Sequence, residues 1–142
     1  MQHLKWTKAH SVFLPQLDAE HRNLFRLAEE LHDAVDSGAD AATLKAGMQS
    51  LVTALDEHFT DEERLMRSAG ADSYAWHKRQ HDTTRKRGKQ FLKQLAKGDA
   101  EAPAAFLDFL APWFRDHIAV SDRMMSAQVR NRDRRYATAS AS

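Results

Sequence analysis

The chain has 142 residues, with 21 Lys and Arg against 20 Asp and Glu, and a formal net charge of +1 at pH 7. This balance removes any bulk electrostatic attraction to nucleic acid or to an anionic membrane surface. The absence of cysteine excludes disulfides, thiolate metal sites and cysteine nucleophiles, so any metal site must be built from the 8 histidines and from carboxylates.

Residues 1–17 read as an N-terminal arm. Its opening, "MQHLKWTKAHSV", lacks the apolar run of a signal peptide, and no stretch of the chain reaches membrane-spanning length. A soluble cytoplasmic protein is the expectation. Trp6, Val12, Phe13 and Leu14 are apolar and are expected to cover the core. The first helix then opens with Asp18 as N-cap and closes at Gly38. Its inward stripe is Leu17, His21, Leu24, Ala28, Leu31 and Val35, spaced by fours and threes.

The second helix runs from Asp40 to Gly70 and turns Leu44, Met48, Leu51, Leu55, His58, Glu62 and Met66 inward. The third starts near Asp72 or Ser73 and stops at Gly98, with Tyr74, His77, His81, Thr84, Gly88, Phe91 and Leu95 on its stripe. The fourth starts at about Pro103, a favoured first-turn residue, and shows Phe106, Leu110, Trp113, His117, Val120 and Met124. Pro112 falls inside it and removes one backbone hydrogen bond, which predicts a bend rather than a break because the stripe keeps its phase. Residues 130–142 form a polar tail expected to fray into solvent. The pattern is all-α and gives one domain over 1–142, an up-down-up-down antiparallel four-helix bundle with an N-terminal arm.

Every stripe is interrupted by polar residues where a bundle wants leucine: His21, then His58 and Glu62, then His77 and His81, then His117. Burying such groups without partners costs several kcal/mol each. Residues i and i+4 share a helix face, so "HFTDE" and "HKRQH" can each direct two donors into one cavity. Asp122 follows His117 by five, a step of about 140° in an α-helix, and so is expected beside the stripe rather than on it. A metal cation satisfies this whole set. Seven donors exceed the roughly four to six that one ion takes, which points to two metals sharing carboxylates. Imidazole with carboxylate suits iron, with manganese as the alternative. His3, His10 and His32 lie off the pattern.

The order His21, "HFTDEE", "WHKRQH" and "HIAVSD" resembles the signature of the hemerythrin family, and the flanks "DAEHRNLF" and "HFTDEERLMRSAG" agree with it over roughly residues 4–126. The likeness is to single-domain bacterial members. It implies a non-haem di-iron centre bridged by an oxo or hydroxo group. His77, His81 and His117 would hold one iron, and His21 and His58 the other, which keeps an open position for dioxygen. Glu62 and Asp122 would bridge the two. The activity implied is reversible dioxygen binding for storage, delivery or sensing, with no catalytic residue. A di-iron enzyme acting on peroxide or nitric oxide is the alternative.

An apolar wall around the open iron is expected from Leu24, Phe25, Phe59, Trp113, Phe114 and Ile118. The basic clusters at 85–89 and 130–135 are interrupted or lie on solvated faces, so no nucleic-acid or membrane partner is expected, and the sequence names no protein partner.

Overall fold

The computed structural model describes residues 3–141, and every regular element among them is helical. A 3-10 turn, Lys8–His10, precedes α1, Pro15–Asp36. Three further helices follow: α2, Ala41–Ala69; α3, Tyr74–Ala96; and α4, Ala102–His117. A π-helical turn, Ile118–Asp122, joins α4 to α5, Arg123–Ala141. The backbone stays in the right-handed helical region at Ile118 (φ −62°, ψ −47°) and at Arg123 (φ −65°, ψ −40°), so α4, the π-turn and α5 form one long rod. The bundle therefore has four rods.

Local chemistry explains the ends. Pro15 occupies the first turn of α1, where its missing N–H would have had no partner in any case. The Asp40 carboxylate caps α2 by accepting from the Thr43 N–H at 2.8 Å. Gly70, at φ +63°, closes α2 in the left-handed conformation that a side chain would disfavour. The links after α1, α2 and α3 are only a few residues long, which forces neighbouring rods to run antiparallel.

The core is a continuous set of fully buried side chains, among them Leu17, Leu24 and Leu31 of α1, Met48 and Leu51 of α2, and Phe106, Leu110 and Phe114 of α4. The histidines and carboxylates come from the first halves of α1 and α3 and from the far ends of α2 and α4. An antiparallel bundle brings these segments to one depth.

Five expectations need correction. Asp18 does not cap α1 but sits inside it, where its carboxylate accepts from Ser11 Oγ at 2.6 Å and from the Val12 N–H at 2.9 Å. The arm is tied down through that residue, and it ends at Leu14 rather than at residue 17. Val12 is buried and Trp6 and Leu14 are partly so, but Phe13 is 64% exposed. Its positive φ of 63° turns the side chain away from the core that its neighbour Val12 enters. Val120 and Met124 were expected inward and are exposed, because the π-turn slips the helix phase by one residue. Ser121, Asp122, Met125, Ser126 and Val129 face inward instead. The polar tail, finally, does not leave the helical path: α5 is helical to Ala141, as a stretch with no Gly or Pro allows. At Pro112, α4 continues without a break.

Candidate metal centre

All seven sequence-derived donors meet in one buried chamber. His21, Glu62, His77, His81 and Asp122 have no exposed surface, and His58 and His117 are all but covered. Their donor atoms form two groups, each within 4.8 Å. One group is His77, His81 and His117 with Glu62 and Asp122; the other is His21 and His58 with the same two carboxylates. Glu62 and Asp122 belong to both.

The distances show how the sharing works. Asp122 turns Oδ2 to His21 Nε2 at 3.1 Å and Oδ1 to Nε2 of both His77 and His117 at 3.0 Å. Glu62 Oε1 lies 2.8 Å from His58 Nε2 and 3.6 Å from His81 Nε2. Each carboxylate thus spans the two histidine groups.

The π-turn is what brings Asp122 in. A π-helix closes its hydrogen bonds from i to i+5, so the fifth residue takes the place one turn on that the fourth takes in an α-helix. The five-residue spacing from His117 to Asp122, awkward for an α-helix, is the natural one here.

Outer partners fix the imidazoles. His58 Nδ1 donates to Glu20 Oε1 at 2.8 Å, His81 Nδ1 to Glu63 Oε2 at 2.7 Å, and His117 Nδ1 to Gln80 Oε1 at 2.8 Å. Carboxylate and amide oxygens only accept, so each of these three rings carries a proton on Nδ1 and turns Nε2 inward, where a metal would take its lone pair. Each partner stands one residue from a donor of its own helix, beside His21, Glu62 and His81, and reaches across to the next helix in chain order. That adjacency is the signal by which sequence reading could have found them. Gln80 accepts from both His117 Nδ1 and Ser121 Oγ (2.7 Å).

The donor set fits a cation. His81 and His117 direct their Nδ1 protons outward, and Nε2 of His117 lies 3.0 Å from that of His77 and 3.1 Å from that of His81. Lone pairs converge there with no hydrogen-bonding proton supplied by the outer shell. Both oxygens of Glu62, both of Asp122, and Nε2 of His21 and of His58 are buried without a hydrogen-bond partner. Polar atoms so arranged need either shared protons or metal ions, and imidazole with carboxylate is a borderline donor set suited to iron.

Without metal the electrostatics are tense. Burial works against charge on His58, but the Glu62 carboxylate and the Glu20 hydrogen bond outweigh it and lift the imidazole to about 10. Burial and the adjacent Asp122 carboxylate push Glu62 up. Asp122 is held well below the usual carboxylate range: burial opposes its charge, but His117, His21 and His77 prevail. Burial drives His81 down to about 3 despite Glu63. Glu63 falls to about 2, because His81 and Arg85 overcome its own burial.

The aromatic wall covers both sides. Phe114 meets His21 edge-on at 5.5 Å and His58 at 6.4 Å, with Phe25 packed behind it at 5.6 Å. Phe59 stacks flat on His81 (4.1 Å, 11°), and Trp113 stacks on His117 (4.5 Å, 12°). Trp113 therefore presses on the three-histidine side, while Phe59 touches both sides, its ring also lying 6.0 Å from that of His58. Leu24 and Ile118 are buried.

Residues 12–129 match the family model described as hemerythrin HHE cation binding domain. The chain is 33% identical over 115 residues to a bacteriohemerythrin of Aquifex aeolicus, covering 80% of this chain and 87% of that protein. A myohemerythrin of Theromyzon tessulatum is 30% identical over 118 residues, covering 83% of this chain and 87% of the relative. The crystal structure of a wild-type hemerythrin superposes with a TM-score of 0.82 at 25% identity, covering 88% of this chain and 96% of the other.

Proposed function

The chain belongs to the hemerythrin family, and on that premise we propose that its seven buried donors hold two iron ions. His77, His81 and His117 serve one iron, His21 and His58 the other, and Glu62 and Asp122 both. The protein binds dioxygen at this non-haem di-iron centre. The observation that carries the ligand assignment is the pair of donor groups with both carboxylates in common. When bound, the iron pair supplies the electrons on which reversible dioxygen binding draws.

The remaining work falls to the chain. Glu20, Glu63 and Gln80 hold three imidazoles in the tautomer that turns Nε2 inward. The two-histidine side carries one imidazole fewer, so its metal would keep a coordination position for a small ligand. Phe114, edge-on to both of its rings, with Phe25 behind, keeps that space apolar and dry. We read the protein as a binder rather than an enzyme. Five neutral imidazoles and two carboxylates are a weakly anionic shell, which stabilises high-valent iron less and favours release of the ligand over its activation. No helix among the described residues is long and apolar enough to cross a membrane.

The test of the ligand set is an anaerobic Fe(II) titration followed by metal analysis. The wild-type chain is expected to retain two irons. Asp122→Ala or Glu62→Ala should lose most of both, since each serves the pair. A single iron per wild-type chain, or full loading of both variants, would contradict the assignment.

A further inference from the structure

The outer partners of the histidines are not alike. Glu20, behind His58, takes its other hydrogen bond from the neutral amide of Gln16 at 3.3 Å. Glu63, behind His81, is met by a cation: Arg85 Nη1 lies 2.7 Å from Glu63 Oε2, the same oxygen that accepts from His81 Nδ1. Arg85 is itself fixed on three sides, by Asp56 through Nε (2.6 Å), by Asp82 through Nη1 (3.0 Å) and by Thr60 Oγ1 through Nη2 (3.3 Å).

A second contact runs from the same guanidinium to the same imidazole. The Arg85 guanidinium carbon stands 5.5 Å from the centroid of the Phe59 ring, within cation–π range, and Phe59 is stacked on His81. Arg85 therefore backs both groups that orient His81: the carboxylate at its Nδ1 edge and the ring on its face.

We propose that Arg85 is a positioning residue that sets the electronic character of the His81 side of the centre, making the two metal positions unequal. An uncompensated carboxylate behind an imidazole increases its electron donation and favours the oxidised metal. A guanidinium on that carboxylate withdraws part of the effect and favours the reduced metal, the form that takes up dioxygen. The inference rests on the di-iron reading, so iron content is measured first. A chain that fails to hold two irons refutes that reading, whereas two irons with unaltered electronic properties refutes only the role of Arg85.

The experiment compares Arg85→Met, Glu63→Gln and Arg85→Lys in the iron-loaded full chain, by mediated redox titration and by autoxidation rate. Arg85 also lines a cavity of about 290 Å³ between α2 and α3, together with Phe59, Thr84 and Gly88. Methionine keeps most of the side-chain bulk there while removing the charge. Arg85→Met is expected to lower the reduction potential and speed autoxidation about tenfold. Glu63→Gln, which keeps an acceptor for His81 but removes the negative charge, should raise the potential and slow autoxidation. Arg85→Lys keeps the charge and should stay near wild type. Opposite signs for the first two support the proposal, because mere slackening of His81 would move both the same way. Equal signs, or an unmoved potential in Arg85→Met, overturn it. Should Arg85→Met fail to fold, Glu63→Gln and Arg85→Lys decide: a potential that falls in Glu63→Gln, or one that falls in Arg85→Lys with both irons held, is fatal.

Discussion

A histidine that enters a metal site must first lose its proton, and here the protein has raised the stakes of doing so. In the metal-free chain His58 is lifted to about 10 and is charged at pH 7. Its folded value exceeds the ordinary 6.5, so its stabilising effect is whole below pH 6.5 and is lost as pH rises toward 10. Glu63 behaves in the opposite sense. Lowered to about 2 from 4.5, it contributes fully above pH 4.5 and less as pH falls toward 2. Thermal melts of the metal-free protein should therefore show the midpoint falling between pH 7 and 10, and again below pH 4.5. A midpoint flat across the alkaline range would contradict the His58 pairing. Six of the seven proposed donors were legible in the sequence because each stands where a stripe required an apolar side chain, whereas Asp122 fell beside its stripe. Glu20, Glu63 and Gln80 were not, since a polar residue at the edge of a stripe is ordinary.

At the scale of the element, four rods could be read from periodicity, from Asp40 and Gly70 as punctuation, and from Pro103 near a helix start, though the first rod begins at Pro15 and not at Asp18. The π-turn could not. Its sequence, "IAVSD", carries no helix breaker, and the only hint was that Asp122 fell one residue too far from His117. That misfit was the sign of the turn, and the exposure of Val120 and Met124 is its consequence. Ala119 is exposed within the turn. Deleting it should restore an uninterrupted α-helix, with the aspartate four residues after His117 and Met125 and Val129 still inward. Helical content by circular dichroism, cooperative melting and iron loading should all survive, because the aspartate then takes at i+4 the place that the π-turn gives it at i+5, and loss of iron from the folded variant would contradict that geometry. Loss of cooperative unfolding in the deletion variant would show that the phase slip serves the fold and not the site.

Over the whole molecule, the metal chamber occupies bundle interior that would otherwise be leucine. Two carboxylates and five imidazoles buried together make the metal-free protein the less stable form, and ions that bind only the folded chain add their binding free energy to its stability. At free metal about a thousandfold above Kd that addition is about 4 kcal/mol. For a chain of this size it corresponds to a rise in Tm on the order of 10 °C. Scanning calorimetry with and without iron measures the difference, and identical Tm values would mean that the chamber does not take up metal. The arm was only half legible. Val12 could be recognised as a core residue, but nothing in "SVFLP" shows that Phe13 turns outward on a positive φ. Reversible uptake of dioxygen is the function that the chamber is proposed to serve. Its most direct test is to load the protein anaerobically with Fe(II), admit air, and then evacuate while following the absorption spectrum. A spectrum that appears in air and reverts fully under vacuum over repeated cycles, with two irons retained per chain, is the expected result. Irreversible oxidation in the first cycle, or consumption of dioxygen without its return, would contradict it.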